Sequence, residues 1–579
     1  MAPYSSSGVK KLKNEDDGAS WKYSISKLRE VQSIIRTPNP NDPGYARQKA
    51  NGKLWVRERL DALLDTGSWV EIGSIAGKPV EDEKTGEIKE FIPGNILIGW
   101  GRLKGKKVFV TADDFSVRGG HADGGIYGKV PHGETQAWKA GVPLIRLLDG
   151  SSGGGSVATY LKLGATYIPA LAGLAQSMEA LAKIPIASAL LGPVVGLAAA
   201  KAVTSHFSVM VKDLSQLFAA GPPVVKQATF EDLSKEALGG WEIHARNGTV
   251  DNVCNSELEA FQQIRDFLSF LPPNIYNVPP VESSNDPQNR REEELIAIIP
   301  RRRARMYDIR KLIRLIVDVS SDPTSSAHST GSTFFEIGET WGRSIVTGFA
   351  RLSGRPVGVL SSDCAVGGGA IDALASQKTA RFVNLCDLFK WVRCELLCMY
   401  STDYKTKSIP LLNLVDQPGF AIGSAAEKSA TIRFGASAMS ALYSARVPVF
   451  TVILRRAFGV AGGAFGFPDD NYNNRVAWPS GDWGSLPLEG GIEAAYKRKL
   501  DQTPTPAARD QMIKDYLAQF EEVRSPMRTA YQFGVEEIID PRDTRPLACD
   551  WIVHAYEQLV PLLVARKTAS VGFTPTYKL

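Results

Sequence analysis

The sequence repeats itself in three places, and this repeat constrains the fold more than any other feature. Three pairs of segments match in the same order along the chain: 99–114 with 348–363, 142–149 (VPLIRLLD) with 409–416 (IPLLNLVD), and 182–199 (AKIPIASALLGPVVGLAA) with 445–463 (ARVPVFTVILRRAFGVAGG). A chain of 579 residues is too long for one hydrophobic core. The repeat therefore predicts a duplicated domain, with roughly 250 residues in each copy.

The matched segments predict buried strands that end in glycine-rich turns. Residues 411–466 form apolar runs rich in leucine, valine and isoleucine, with a helical segment between them. Short continuous apolar runs are typical of parallel strands that are buried on both faces. A glycine-rich turn before a helix presents unpaired backbone N–H groups, which suit a developing negative charge.

Composition places the chain among ordinary globular proteins. It is 44% hydrophobic and 22% charged, and its net charge of +5 is small for this length and does not indicate nucleic-acid binding. The basic cluster at 301–305 is interpreted as a solvated helix start, with phosphate binding as the alternative. Glycines, prolines and charges interrupt the apolar stretch 163–203, so no transmembrane segment is expected.

The cysteines and the two chain termini indicate in which cellular compartment the protein is expected. Six cysteines in a chain of this size do not make a disulfide framework, which favours a reducing compartment. Cys394 and Cys398 form the only close pair, so no zinc site and no other metal site is expected. The N-terminus lacks the apolar core of a secretory signal, and the C-terminal Tyr-Lys-Leu differs from the peroxisomal Ser-Lys-Leu signal. We expect a cytoplasmic protein, with mitochondrial and peroxisomal locations left open.

The predicted domain organisation has four parts and one insertion. The parts are an N-terminal arm (1–50), a first domain (51–271), a proline-rich linker (272–300) and a second domain (301–579). The repeat offset rises from 249 to 267 residues across 391–408, a rise equal to the 18 residues of that segment. We therefore interpret 391–408 as an insertion, either a surface loop or a coding-sequence error such as a retained intron.

Several motifs resemble one enzyme family over about residues 50–565. They are RERLDALLDTGSWVE, GRLKGKKVFVTADDFSVRGG, FLSFLPPN, YDIRKLIRLIVD, GRPVGVL, ARFVNLCDLFK, LLNLVDQPGF and RRAFGVAGG, followed by VAWPSGD and GGIEAAYKRK. The chain thereby resembles the carboxyltransferase β subunits of biotin-dependent acyl-CoA carboxylases, with the propionyl-CoA and methylcrotonyl-CoA enzymes as the nearest in style. The resemblance implies an α/β fold of two tandem crotonase-like domains, each built of repeated ββα units.

The resemblance also implies the reaction and the assembly. A carboxyl group moves from carboxybiotin to an acyl-CoA through an enolate, and backbone oxyanion holes hold the negative charges. Acyl-CoA is expected on the first domain of one subunit, and carboxybiotin on the second domain of a partner subunit. Three such dimers are expected to form a hexamer.

The site residues implied by the resemblance fall into two groups. The oxyanion holes map onto Gly196 and Leu197 on the acyl side, and onto Gly459, Val460 and Ala461 on the biotin side. The residues implied in substrate and cofactor binding are Gly153, Gly154, Gly155, Ser156, Asp416, Pro418, Gly419 and Phe420.

The chain departs from the family pattern at these turns. Leu197 and Val460 stand where the family keeps a second glycine. The family's DSGGAR turn corresponds to residues 149–155 here, and its arginine is missing. The amide N–H survives both glycine replacements, but a side chain now stands beside each turn. For Asp416, orientation of the turn after its strand and a purely structural role are both open.

The chain lacks other parts of a complete carboxylase. It has no Ala-Met-Lys-Met biotinylation site and no ATP-binding region, so the expected partners are a biotin carboxylase and a biotinyl carrier chain. Its six histidines are scattered without a GxSxG motif, which argues against a Ser-His-Asp hydrolase. Two alternatives stay open: a biotin-independent acyl-CoA decarboxylase or other enolate enzyme, and a non-catalytic subunit that assembles with an active paralogue.

Overall fold

The structure is a computed structural model. It describes residues 20–83, 88–121, 124–126, 128–150, 157, 160–161, 164–166, 168, 171, 173–323, 325, 330–388, 409–466 and 473–560. The predicted insertion at 391–408 and the predicted binding residues Gly153, Gly154, Gly155 and Ser156 lie outside the described residues.

The first half of the chain forms an eight-stranded sheet and a separate hairpin. Its strands are β1 (Val70–Ile72), β2 (Gly77–Glu81), β3 (Ile88–Pro93), β4 (Ile96–Leu103), β5 (Lys106–Asp113), β6 (Leu144–Gly150), β7 (Ile186–Val195), β8 (Phe207–Val211), β9 (Gln216–Phe218) and β10 (Asn252–Cys254). The sheet order is β1-β4-β5-β6-β7-β8-β10, with β9 paired to β7, while β2 and β3 pair only with each other. Strands β5 to β8 are parallel neighbours, and β4 and β5 are antiparallel.

The second half forms a seven-stranded sheet on the same plan. Its strands are β11 (Phe335–Ile337), β12 (Ile345–Leu352), β13 (Arg355–Ser362), β14 (Leu411–Gln417), β15 (Val449–Phe458), β16 (Asn473–Ala477) and β17 (Asp482–Gly484). They follow the order β11-β12-β13-β14-β15-β16, with β17 paired to β15.

Helices pack around both sheets. In the first half they are α1 (Lys22–Arg36), α2 (Pro43–Ala50), α3 (Val56–Leu63), α4 (Lys129–Ala140), α5 (Leu174–Leu181), α6 (Leu197–Val203), α7 (Pro222–Thr229), α8 (Lys235–Gly239), α9 (Trp241–His244) and α10 (Glu257–Phe270). In the second they are α11 (Glu294–Ile298), α12 (Ile309–Ile316), α13 (Ala373–Asp387), α14 (Ser424–Lys428), α15 (Thr431–Ser444), α16 (Gly459–Gly466), α17 (Leu488–Ala495), α18 (Lys497–Asp501), α19 (Pro506–Glu521), α20 (Pro526–Tyr531) and α21 (Thr544–His554), which continues into a π turn (Ala555–Leu559). Short 3₁₀ turns occur at Arg118–Gly120, Gly367–Gly369 and Pro541–Asp543. No helix among these is long and apolar enough to cross a membrane.

The repeat predicted from the sequence is confirmed strand by strand. Strands β7 and β15 both have ten residues, β6 and β14 both have seven, and each of these pairs begins and ends at matched positions. Each seven-residue strand is buried along its whole length, as the continuous apolar runs predict. The chain therefore has the α/β architecture that the sequence predicts.

Both halves contribute to one aromatic cluster in the core. Phe207 stacks on Phe267 with ring centroids 4.8 Å apart and meets Phe335 of the second sheet at 5.6 Å. Phe349 lies 6.1 Å from Phe267 and 5.6 Å from Phe382. These rings are buried, so the two sheets are joined by shared apolar burial as well as by the linker.

A buried histidine makes the stability of the first half dependent on pH. His206 Nδ1 accepts a hydrogen bond from the Ile186 N–H at 2.9 Å, and Nε2 lies 2.9 Å from the Leu181 carbonyl oxygen, to which it can donate. The neutral ring satisfies both bonds. Burial lowers the pKa of His206 to about 3, and the Leu181 hydrogen bond opposes this only in part.

We expect the free energy of unfolding to fall as the pH drops from 6.5 towards 3. Over this range His206 is protonated in the unfolded chain but stays neutral in the folded chain. At pH 5 the loss due to His206 is about 2 kcal/mol. Urea unfolding at pH 7 and pH 5 measures it, and His206→Asn, whose amide oxygen can still accept from Ile186, should lose about 2 kcal/mol less over this range. Replacement of the exposed His554 by asparagine is the control, and parallel pH curves for the wild type and His206→Asn would contradict the prediction.

Candidate active site

The two predicted oxyanion turns occupy equivalent places in the two sheets. Each follows the long strand, β7 or β15, and leads directly into a short helix, α6 or α16. Gly196 and Gly459 both adopt left-handed backbone conformations, with φ of 63° and 62°. Glycine adopts this conformation at little cost, whereas a side chain would be strained there. The first glycine of each turn is therefore required by the backbone.

In the first turn, the amide of Gly196 is already engaged. Its N–H donates to the Phe218 carbonyl oxygen at 3.2 Å, because β9 lies beside the end of β7. The following amides, of Leu197 and Ala198, lie in the first turn of α6, where backbone N–H groups have no partner within the helix. Gly196 thus supplies the conformation of this turn, and the amides after it are the available donors.

In the second turn, the two side chains after the glycine point in different directions. The Val460 side chain is 69% exposed, whereas Ala461 is 1% exposed and packs into the core. Within one subunit, the valine that replaces the family's second glycine therefore does not fill the turn. The amides of Val460 and Ala461 lie in the first turn of α16 and are the available donors there.

Asp416, at the end of β14, is fully buried and holds two arginines of β15. Its carboxylate accepts from Arg455 Nη2 at 2.8 Å and from Arg456 Nε at 2.6 Å. It also accepts from the backbone N–H of Arg456 at 3.1 Å and from the Tyr307 hydroxyl at 3.1 Å. The described partners of Asp416 are thus Tyr307 and two arginines of β15. These bonds fix the end of β15, which leads into the second turn.

The charge state of Asp416 follows from these contacts. Burial alone would raise its pKa, but the hydrogen bonds and charges of Arg456 and Arg455 outweigh burial and hold the pKa below its ordinary value. The carboxylate is therefore ionised at neutral pH. A permanently ionised, fully paired carboxylate serves to orient its neighbours and is poorly suited to accept a proton.

Pro418, Gly419 and Phe420 form the turn after β14. Gly419 has φ of 131°, and its carbonyl oxygen accepts from the Ile371 N–H at 3.1 Å. Phe420 forms an isolated bridge with Ile371 and packs over Gly435, where an added Cβ would overlap its ring. These contacts tie the turn to the segment before α13 and to α15.

The matching position in the first half, Asp149, carries a buried network that sequence reasoning missed. Asp149 accepts from Lys53 Nζ at 2.5 Å and from Arg59 Nη2 at 2.8 Å, and Arg59 also binds Glu257 at 2.5 Å. A Cβ at Gly192 would overlap both the Asp149 carboxylate and Lys53, which explains this glycine. Lys53 and Arg59 are far from the glycine-rich motifs in sequence, so only the fold brings them here.

The first half also shows why Gly150 is a glycine. Its Cα lies against the Gly120 backbone, and a Cβ on Gly150 would come within 2.9 Å of the Gly120 Cα. The glycine-rich run that begins at Gly150 predicts backbone that passes close to a ligand or to another strand. For Gly150 the neighbour is the Gly120 backbone. The contact brings the 3₁₀ turn after β5 to the end of β6.

Comparison with known proteins identifies the family of this chain. The carboxyl transferase domain family matches residues 47–391 and 400–565, and the interruption falls inside the predicted insertion. The mitochondrial propionyl-CoA carboxylase β chain of Mus musculus is 32% identical over 507 residues, which cover 87% of this chain and 85% of the relative. The propionyl-CoA carboxylase carboxyltransferase subunit of Haloferax mediterranei is 32% identical over 529 residues, with 90% and 94% covered.

A solved structure extends the similarity to the whole fold. The 12S subunit of transcarboxylase superposes with a TM-score of 0.76 at 28% identity, covering 93% of this chain and 96% of that one. The structure was solved as a hexamer with methylmalonyl-coenzyme A bound. Together with the duplicated crotonase-like fold, these matches show that the chain belongs to the carboxyl transferase domain family and is an acyl-CoA carboxyltransferase.

Proposed function

We propose that this chain is the carboxyltransferase subunit of a biotin-dependent acyl-CoA carboxylase, and that its two glycine turns are the two oxyanion sites. The observation that carries the proposal is the pair of equivalent turns. In each, a glycine with a left-handed backbone conformation is followed by backbone amides in the first turn of a helix. Backbone donors of this kind stabilise negative oxygen without a change in their own protonation. The amides after Gly196 are assigned to the acyl enolate, and those after Gly459 to the ureido oxygen of biotin.

The chain's residues favour a mechanism without a side-chain base. Asp416 is paired with two arginines, and Asp149 with Lys53 and Arg59, so both carboxylates are committed to structure. When bound, biotin supplies the carboxyl group and, in the mechanism that the family resemblance implies, the ureido nitrogen that takes the α-proton. The second turn fits such a group because the Val460 side chain is exposed and does not fill the turn within the subunit.

The proposed partners follow from the family resemblance and from the relatives of the chain. Biotin is carried on another chain, which is charged by a biotin carboxylase. The transcarboxylase relative assembles as a hexamer, and we propose the same for this chain, with each active site completed by a partner subunit. The binding residues proposed from the family pattern further include Gly153, Gly154, Gly155 and Ser156 on the acyl side, and Pro418, Gly419 and Phe420 on the biotin side.

Decarboxylation by the pure protein tests the proposal. We expect slow loss of the carboxylate from methylmalonyl-CoA or malonyl-CoA when free biotin is present and none when it is omitted, because Asp149 and Asp416 are held in buried ion pairs and biotin supplies the proton acceptor. Carbon dioxide release measured with and without biotin gives the result. Calorimetric binding of the same thioester without biotin is the control that the protein is folded and competent.

Two outcomes would contradict the proposal. Rapid decarboxylation without biotin would identify a biotin-independent decarboxylase. Binding without turnover, even with a biotin carboxylase and carrier supplied, would identify a non-catalytic subunit.

A further inference from the structure

Two buried polar side chains stand at matched positions in the central strands of the two sheets. Arg146 is the third residue of β6 and Asn413 the third residue of β14, and the sequence repeat aligns them. Both are fully buried between apolar neighbours. Burying a polar group costs free energy unless hydrogen bonds compensate, so the bonds that each residue makes indicate its role.

Arg146 binds the C-terminal end of α6. Its Nη1 donates to the carbonyl oxygens of Lys201 and Thr204, each at 2.9 Å, in the last turn of this helix and just beyond it. Its Nε donates to Glu134 at 3.2 Å, and Lys201 Nζ reaches the same carboxylate oxygen at 3.0 Å. The guanidinium thus connects the middle of the sheet to the end of the helix that begins at the first turn.

Asn413 binds the C-terminal end of α16 in the same way. Its Nδ2 donates to the Phe465 carbonyl oxygen at 2.6 Å and lies 3.3 Å from the Thr451 hydroxyl on β15. Phe465 is in the last turn of α16, the helix that begins at the second turn. Two chemically different residues at one repeat position therefore make the same kind of contact.

Each helix is short, so a displacement of its last turn is transmitted to its first. In α6 the other end is also fixed, through the bond from Gly196 N–H to the Phe218 carbonyl. A displacement of about 1 Å in an active-site group can lower a rate about 100-fold. The carbonyl bonds of Arg146 and Asn413 restrict such a displacement.

We infer that Arg146 and Asn413 are positioning residues, which act through α6 and α16 to fix the backbone amides of the two turns for carboxyl transfer. The inference rests on the proposed function, since it takes these turns as the reacting sites. Both side chains are fully buried and are therefore not exposed to substrate. Each sets where a helix lies against its sheet.

Replacement of Asn413 by leucine tests the inference. Asn413→Leu removes the bond to Phe465 with little change in volume, and we expect kcat for biotin-dependent decarboxylation of methylmalonyl-CoA to fall about tenfold to 100-fold. The KM for methylmalonyl-CoA should not change, because this thioester is assigned to the first half. Asn413→Ser, which keeps the site polar but is too short to reach Phe465, serves if the leucine variant does not fold.

The control is Ser361→Ala in the same sheet. Ser361 is buried on β13, and its hydroxyl donates to the Leu414 carbonyl at 2.7 Å, away from α16. This variant should lose thermal stability but keep the wild-type kcat. A merely structural role for Asn413 would give the same pattern in both variants.

The outcomes separate this inference from the proposed function. Folded Asn413 variants with wild-type kcat, beside an active wild type, would overturn the inference and leave the proposed function standing. A wild type without turnover in the presence of free biotin would overturn both.

Discussion

Val460→Pro is expected to lower the rate of biotin-dependent decarboxylation by about 10²–10³, the usual cost of losing one oxyanion donor. Proline has no N–H, so the substitution removes one of the two amides assigned to the second turn. Val460 lies in the first turn of α16, where its amide has no partner within the helix and where proline is tolerated. Its side chain is exposed, so the change leaves the core intact.

The matched control is Val460→Ala, which keeps the amide and shortens the side chain. Its rate should stay near that of the wild type, and both variants should bind methylmalonyl-CoA with unchanged affinity, because this thioester is assigned to the first half. The measurements are initial rates with free biotin and calorimetric binding of the thioester. A folded Val460→Pro protein with full activity would remove the second turn from the proposed site.

Asp416→Asn is expected to lower the free energy of unfolding by about 3–5 kcal/mol, the usual result of removing one partner of a buried ion pair. The substitution preserves the shape of the side chain but leaves Arg455, which is 3% exposed, without its counter-charge. Arg456 is partly exposed and can recover some hydration, so most of the loss arises at Arg455. Urea unfolding at pH 7, followed by tryptophan fluorescence, measures the change.

The control for this prediction is Asp501→Ala, which breaks an exposed ion pair with Lys497 on one helix. Exposed pairs contribute about 0–1 kcal/mol, so this variant should unfold nearly as the wild type does. The lowered pKa of Asp416 adds a pH dependence: its stabilising effect is present above the unfolded pKa and is lost as the pH falls through the lower folded pKa. Equal stability of Asp416→Asn and wild type at pH 7 would contradict the assigned role.

The sequence alone determined the parts of the fold that depend on local apolar patterning. Strands β6, β7, β14 and β15 are mostly apolar along their length, because both faces of a parallel strand are buried. Their repetition predicted two copies of one sheet, and glycines at matched positions predicted the two turns. The β2–β3 hairpin and the helices α17 to α20 were not predicted, because their mixed segments carry no clear period of apolar residues.

Only the tertiary structure decided which polar groups meet. Lys53 and Arg59 reach Asp149, and Tyr307 reaches Asp416, across long stretches of chain whose packing no local pattern encodes. The sequence could place Gly196 in a turn, but the pairing of β9 with β7 decided that its amide is engaged and that the following amides are available. Likewise, the repeat aligned Arg146 with Asn413, and only the fold showed both binding the last turn of a helix, because such contacts depend on how helix and sheet pack together.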